Sequence, residues 1–373
     1  MAKYKLDDLC EFITDGTHQT PEYCEEGGVI FLSSKDVTER KINWDDVKHI
    51  PDSLHEKLYK RLRPQKNDIL LAKNGTTGVA AIVDRDEIFD IYVSLAVLRP
   101  IKSIYPKYLL YAINSPVAKR QFDAGLKGIG VPNLHLGVIR ETVINVAERE
   151  EQELICETLD KVAGIIDKRK AELNALDDLI KARFVEMFGD PVMNEKGWIT
   201  KSLLDMGRCK NGMNFHYDDE GVEINCLGVG DFKELSIIDN TDELPTVSLK
   251  EMPSEEYLLK DDDIVFVRSN GNKALVGRSI AVYPGNVPTT FSGFCIRYRK
   301  HDNEIIVPYL LRALKADSMR MKMTGRGANI QNLNQQILGT LVIPIPPLDL
   351  QNQFADFVHQ VDKLKFIYPS YAA

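Results

Sequence analysis

The sequence predicts a mixed α/β, β-rich fold built twice, as two similar domains separated by long helices that form an antiparallel coiled coil. Two observations carry that reading. An ordered set of phrases recurs in both halves at a spacing of about 200 residues. Between the two copies lies a proline-free stretch, residues 148–188, with apolar residues mostly three or four apart, the mark of one sticky helical face. A period of that length is far too long for a solenoid and describes whole domains in a pseudo-twofold internal repeat.

The recurring phrases come in the same order. Asp68-Ile69-Leu70-Leu71-Ala72-Lys73, then Asn74-Gly75, is echoed by Asp263-Ile264-Val265-Phe266-Val267-Arg268, then Asn270-Gly271. Tyr108-Leu109-Leu110 is echoed by Tyr309-Leu310-Leu311, Asn133-Leu134-His135 by Asn332-Leu333-Asn334, Val143-Ile144 by Val342-Ile343, and Gln152 by Gln351. The halves agree mainly at apolar and turn positions and differ at most polar ones, as expected of copies that share a fold and recognise different things.

Within the first copy the elements follow in order. Short β-type runs at Gly28–Leu32, Asp68–Leu71, Val79–Val83 and Val93–Leu98 alternate with Gly/Asn/Asp turns. A helix is predicted from Pro106 to Asp123, with Pro106 in its first turn. A Gly-rich loop, Gly125 to Gly130, leads to a last strand near Glu141–Val146. The stretch from Glu148 to Phe188 then reads as one helix, with Ile155, Leu159, Val162, Ile166, Leu173, Leu176, Ile180 and Phe184 on its apolar stripe. At 1.5 Å per residue it would be a rod about 60 Å long. Gly189-Asp190-Pro191 stops it. Such a helix needs a partner, and the second copy supplies a shorter one, capped by Asp349, carrying Phe354, Val358 and Val361, and ended by Pro369. The domains expected are 1–147, a central helix over 148–189, 190–347, and a final helix over 348–373.

Composition sets the outer limits. With 44% apolar residues the chain can fill real cores, and it has no apolar run long enough for a membrane span. No signal-peptide pattern opens it, so a cytoplasmic protein is expected. The six cysteines form no C-x-x-C pair, which favours buried thiols over zinc or disulfides. The net charge of −8 argues superficially against a nucleic-acid partner, but half of the acid excess lies in residues 146–189, which need not touch DNA.

The architecture of domain, long helix, related domain and helix resembles the specificity subunits of type I restriction–modification systems. So do several local phrases: Asp68-Ile69-Leu70 and Asp263-Ile264-Val265 before a Gly-containing loop, Pro344 to Leu348 with Gln351 and Gln353, and Phe188-Gly189-Asp190-Pro191. The resemblance covers the whole chain. It implies two target recognition domains, each reading one half of a split, asymmetric double-stranded DNA site. It implies helices that set half-site spacing and dock two methyltransferase (modification) subunits, with motor-nuclease (restriction) subunits joining the complex. It implies no catalytic activity and no cofactor in this chain.

Base reading needs paired hydrogen bonds from Arg, Lys, Asn or Gln, and phosphate contact needs cations, small hydroxyls or free backbone N–H groups. The candidates in the first domain are Lys73, Asn74, Thr76, Thr77, Lys127, Asn133 and His135. Those in the second are Arg268, Ser269, Asn270, Asn272, Lys273, Arg326, Asn329, Gln331, Asn332 and Asn334. Lys57, Lys60, Arg61, Arg63 and Lys66 form a basic run suited to phosphates. The competing roles are plain turns for the Gly-Asn-Thr loops and fold-holding for Asn133 and Asn332.

Enzyme signatures are missing. Gly128-Ile129-Gly130 and Gly228-Val229-Gly230 are too short for a dinucleotide fingerprint, and Gly75-Thr76-Thr77-Gly78 lacks the lysine of a P-loop. Asp261-Asp262-Asp263 reads as a turn entering a strand, not a metal site. A duplicated protein-interaction scaffold and a nuclease with a scattered active site are the readings to test against.

Overall fold

Each repeat folds around the strand that begins at its recurring aspartate. In the first, Ile69–Ala72 is buried at every residue and pairs antiparallel with Leu95–Pro100 and Ala80–Ile82, while Cys10–Asp15 completes a four-stranded sheet. A second sheet sets Val29–Leu32 between Lys48–Ile50, antiparallel, and Phe89–Ile91, parallel. Ala2–Lys5 pairs with Val143–Val146.

The second repeat has the same plan. Asp263–Val267 pairs antiparallel with Cys295–Lys300 and Ser279–Val282, with Gly207–Asn211 outside them. Val222–Leu227 lies between Thr246–Leu249, antiparallel, and Thr289–Phe291, parallel. Ile199–Ser202 pairs with Val342–Ile345. A short extra strand, Ile237–Ile238, is added at the edge of the larger sheet. The computed structural model describes residues 1–126, 133–215, 221–232, 236–324 and 332–366, and the chain divides into two units, Met1–Asp167 and Lys168–Ala373.

The period-2 geometry of a strand explains the apolar runs. Ile69 and Leu71 enter the core shared with the helices, and Leu70 and Ala72 enter the core on the opposite face. Ile264 and Phe266 repeat the first role, and Val265 and Val267 the second. A strand covered on both faces has no solvent side, so its sequence does not alternate.

The polar positions that recur are structural ties. Asp68 accepts both Nε and Nη2 of Arg99 at 2.8 Å, and the backbone N–H of Gln65. Asp263 does the same with Arg299 at 2.7 Å, and with the N–H of Lys260. Tyr108 and Tyr309 donate to the carbonyls of Asn145 and Pro344. Gln152 accepts from Tyr105 N–H and donates to the Ala147 carbonyl; Gln351 accepts from Ile306 N–H and donates to the Pro346 and Glu304 carbonyls. Gln351 is fully buried. Replacing Gln351 with alanine is therefore expected to cost the second unit about 1–3 kcal/mol, because a buried amide and two carbonyls lose their partner. A urea titration that leaves the midpoint unchanged would contradict that role.

Two expectations need correction, and the short partner helix has the consequence its length implies. The predicted helix from Pro106 to Asp123 is two helices, Pro106–Ile113 and Pro116–Ala124. Pro116 cannot donate an N–H, Ser115 caps the second helix by accepting from Ala118 N–H, and the Asn114 side chain is drawn to the backbone of Ala80. Asp349 is not a cap: the helix Leu348–Phe366 already includes it in its first turn. The apolar stripe of the central helix, Arg149–Phe188, is covered over only part of its length. Leu159, Val162 and Ile166 are 37%, 48% and 39% exposed.

The central helix anchors at both ends. In the first unit Gln152 and Cys156 are buried, and Asp160 takes Lys107 and the Tyr111 hydroxyl, each at 2.6 Å. Burial, the largest single influence, pushes the Asp160 carboxyl up, but Lys107 and Tyr111 together outweigh it and hold the carboxyl below its ordinary value. In the second unit, residues 168–188 run antiparallel to Leu348–Phe366. Phe184 meets Phe354 at 5.4 Å between ring centroids, and further along Lys365 reaches Asp177 at 2.7 Å. Phe188 and Tyr309 complete the aromatic cluster. All six cysteines are free, and no helix among the described residues is long and apolar enough to cross a membrane.

Candidate nucleic-acid interface

In each repeat the strand from the recurring aspartate runs into a turn, and a second loop is hydrogen-bonded onto that turn. In the first unit Lys73 N–H donates to the Ser94 carbonyl, and Leu134 N–H donates to the Lys73 carbonyl at 2.9 Å. In the second unit Arg268 N–H donates to the Phe294 carbonyl, and Leu333 N–H donates to the Arg268 carbonyl at 2.8 Å. The two sets of candidate residues, after the strand and around the recurring asparagine, are thus brought side by side in both copies.

The turn itself is built from glycine. Gly75 and Gly78 have φ of 72° and 85°, the left-handed region that favours glycine, and a Cβ at Gly78 would also press on Phe122. Asn74 and Thr77 are half-buried and Thr76 is exposed, with its hydroxyl donating to the Val37 carbonyl at 3.0 Å. In the second unit Ser269 forms a β-bridge to Asn332. Asn270 accepts from Asn272 N–H, and Asn272 accepts from Ala274 N–H, so both side-chain carbonyls hold the turn. Lys273 is exposed.

The equivalent cations differ in their surroundings. Lys73 is 5% exposed, with its ammonium on the Asp15 carboxylate at 2.5 Å. Arg268 is half-buried, and its Nη1 donates to the Gly293 carbonyl at 3.2 Å. Lys73 is therefore locked inward, whereas Arg268, among the described residues, is held through one terminal nitrogen on that carbonyl. His18, which the sequence reading passed over, lies on the same Asp15 carboxylate at 3.4 Å and is itself largely exposed. No local phrase marks His18; only the fold brings residues 15 and 73 together.

The remaining candidates divide into three groups. Asn133 is half-buried, and its Oδ1 has no hydrogen-bond partner among the described residues; His135 is exposed at the start of the helix Leu136–Glu141. Asn334 is exposed, and its side-chain carbonyl caps the helix Gln335–Gly339 by accepting from Ile337 N–H. Lys127, Arg326, Asn329 and Gln331 lie outside the described residues. In the basic run, Lys57, Lys60, Arg61, Arg63 and Lys66 are all exposed. Arg61 donates to the Asp15 carbonyl at 2.7 Å, Arg63 to the Tyr59 carbonyl, and Lys66 pairs with Asp86. Arg61 and Lys73 thus meet the same residue, which ties the basic run to the turn.

Comparison with known proteins gives a consistent result. The family model described as the type I restriction modification DNA specificity domain matches twice, over residues 1–176 and 195–367. The chain is 24% identical over 380 residues to the type I restriction enzyme StySPI specificity subunit of Salmonella potsdam, covering 95% of this chain and 79% of that one. It is 20% identical over 285 residues to the EcoKI specificity subunit of Escherichia coli, covering 72% of this chain and 61% of that one. Among solved structures, the S subunit of a type I restriction–modification system from M. genitalium matches with a TM-score of 0.51 at 17% identity, over 98% of this chain and 90% of that one.

Proposed function

The chain belongs to the type I restriction modification DNA specificity family, and from that premise we propose that each unit reads one half of a bipartite, asymmetric double-stranded DNA site. The observation that carries this reading is the duplication: one fold, present twice, with the same pair of loops at the same place and different polar residues on them. Two unlike readers on one chain give an asymmetric site, and linkage raises the affinity of the second once the first has bound.

The division into 1–147, 148–189, 190–347 and 348–373 follows as a functional one, with the helices setting half-site spacing and docking two methyltransferase subunits. Motor-nuclease subunits join that complex. The chain itself carries no catalytic centre and works in the cytoplasm. Base contacts come from the turn and its neighbouring loop, through Asn74, Thr76, Thr77, Asn133 and His135 in the first unit. In the second they come from Arg268, Ser269, Asn270, Asn272, Lys273, Asn332 and Asn334. Lys127, Arg326, Asn329 and Gln331 are assigned from sequence alone. Lys57, Lys60, Arg61, Arg63 and Lys66 contact phosphates. Lys73 takes part once Asp15 releases it.

The test is to sequence methylated bases in cells that express this chain with its methyltransferase partners. The expected result is a split, asymmetric motif with an unspecified gap of constant length. An undivided motif, or none, would refute the reading; DNA binding that never appears, with or without the methyltransferase, would favour a protein-interaction scaffold. Arg268→Ala is expected to relax the motif in one half only, at a cost of about 1–3 kcal/mol for the affected base pair. Relaxation in both halves, or in neither, would remove Arg268 from base reading.

A further inference from the structure

The two units differ sharply at one place where their backbones agree. The Asp–Arg fork aligns Arg99 with Arg299, so two residues earlier on the same strand and the same face Val97 aligns with Arg297. On the neighbouring strand Phe12 lies opposite Arg99 and Thr14 opposite Val97. Their counterparts are Arg208, opposite Arg299, and Lys210, opposite Arg297. A face that carries one cation in the first unit carries four in the second, as two directly opposed like-charged pairs.

Like charges directly across a ladder destabilise it. Two of the four are offset: Arg299 by Asp263, and Lys210 by Glu256 at 2.5 Å. The other two have no direct ion pair among the described residues, although Asp263 acts on Arg297 and Glu256 lies in the field of both. Arg208 is exposed and makes no ion pair among the described residues. Arg297 is 2% exposed, and its Nε and Nη1 have no hydrogen-bond partner among the described residues. Burial foremost lowers the Arg297 pKa from its ordinary value; Asp263, the next influence, opposes it, and Arg299 and Arg208 add to it. The same field helps hold the Glu256 carboxyl below its ordinary value, after the direct contribution of Lys210. A buried guanidinium with open donors is costly unless something anionic meets it, and Val97 shows that the fold does not need a cation there.

We propose that Arg208, Lys210 and Arg297 form a phosphate-oxyanion site that takes a DNA backbone phosphate, giving the second unit an anchor that the first lacks. The proposal rests on the DNA-reading assignment above. Lys210 stands two residues before Gly212, whose loop borders Gly293 and hence the Arg268 turn, so the site continues the candidate interface along the strand.

The experiment uses the full chain, its Arg297→Val variant, which restores the residue of the first unit, and Arg208→Gln at an exposed position. DNA affinity is measured across a salt series, and melting temperature in phosphate and in chloride at equal ionic strength. Each lost phosphate contact should make the slope of log affinity against log salt shallower by about 0.9. Arg297→Val should also melt no lower than the parent chain and lose stabilisation by inorganic phosphate. If Arg297→Val fails to fold, the same slope change is read in Arg208→Gln. Unchanged slopes in folded variants overturn the proposal. Phosphate stabilisation of the parent chain with an unchanged DNA slope overturns the DNA assignment and leaves a free-anion site. A parent chain that does not bind DNA, with or without its methyltransferase partners, overturns this proposal together with the reading it rests on.

Discussion

Phe354→Ala is expected to remove about 3–5 kcal/mol from the second unit, the range for truncating a buried phenylalanine. Phe354 is fully buried and meets Phe184 and Phe188 at 5.4 and 5.6 Å. With Val361 it carries the shorter helix into the core, and Phe184 links it on to Tyr309. The cavity would open beside the three remaining rings of the cluster, Phe184, Phe188 and Tyr309, which cannot all collapse into it. Hydrogen exchange should show lost protection in residues 168–188 and 348–366 before the sheet of the same unit. Leu364→Ala, at 51% exposure on the same helix, is the matched control and should change the melting temperature little. If Phe354→Ala melts with the parent chain, the helix pair contributes nothing to the unit and the antiparallel packing is not a stable feature in solution.

That pair of helices shows how unevenly the sequence disclosed the structure. The duplication was legible because Asp68 and Asp263, Tyr108 and Tyr309, and Gln152 and Gln351 each close a buried backbone gap that only one residue type closes well. The all-apolar strands were legible for the same reason in apolar form. The break at Asn114-Ser115-Pro116 was not, because helical spacing continues across it and the deciding bond is between Asn114 and Ala80, far away in the chain. The incomplete cover of the apolar stripe was legible in outline, because the partner helix is shorter, but periodicity does not tell which stretch stays uncovered. The surroundings of Lys73 were hidden in a similar way, since a loop lysine beside Asn-Gly looks solvent-facing until Asp15 is folded against it. Arg297 was invisible because an arginine in a strand reads as an edge or surface residue, and its position opposite Lys210 is a matter of register.

Removing Asp263 should be more damaging than removing Asp68, although the two make the same fork. Asp263 is fully buried and receives Arg299 through Nε and Nη2 as well as the N–H of Lys260. Taking away one member of such a pair leaves the other charged and half-buried, at a cost of about 3–5 kcal/mol. Each arginine would keep a carbonyl, Arg63's for Arg99 and Leu258's for Arg299, but Arg99 also has the face of the Phe12 ring, at 4.7 Å, and no cation adjoins it across the ladder. In the second unit Arg299 would face Arg208 directly and Arg297 two residues away, with the nearest carboxylate gone. Asp263→Ala should therefore lower the unfolding midpoint of its own unit further than Asp68→Ala lowers that of the first. Adding Arg297→Val to Asp263→Ala should recover part of the loss, since one of the mutually repelling charges is removed. Equal losses in the two single variants, or no recovery in the double one, would mean that the four cations do not act on one another and that the fork alone sets the cost.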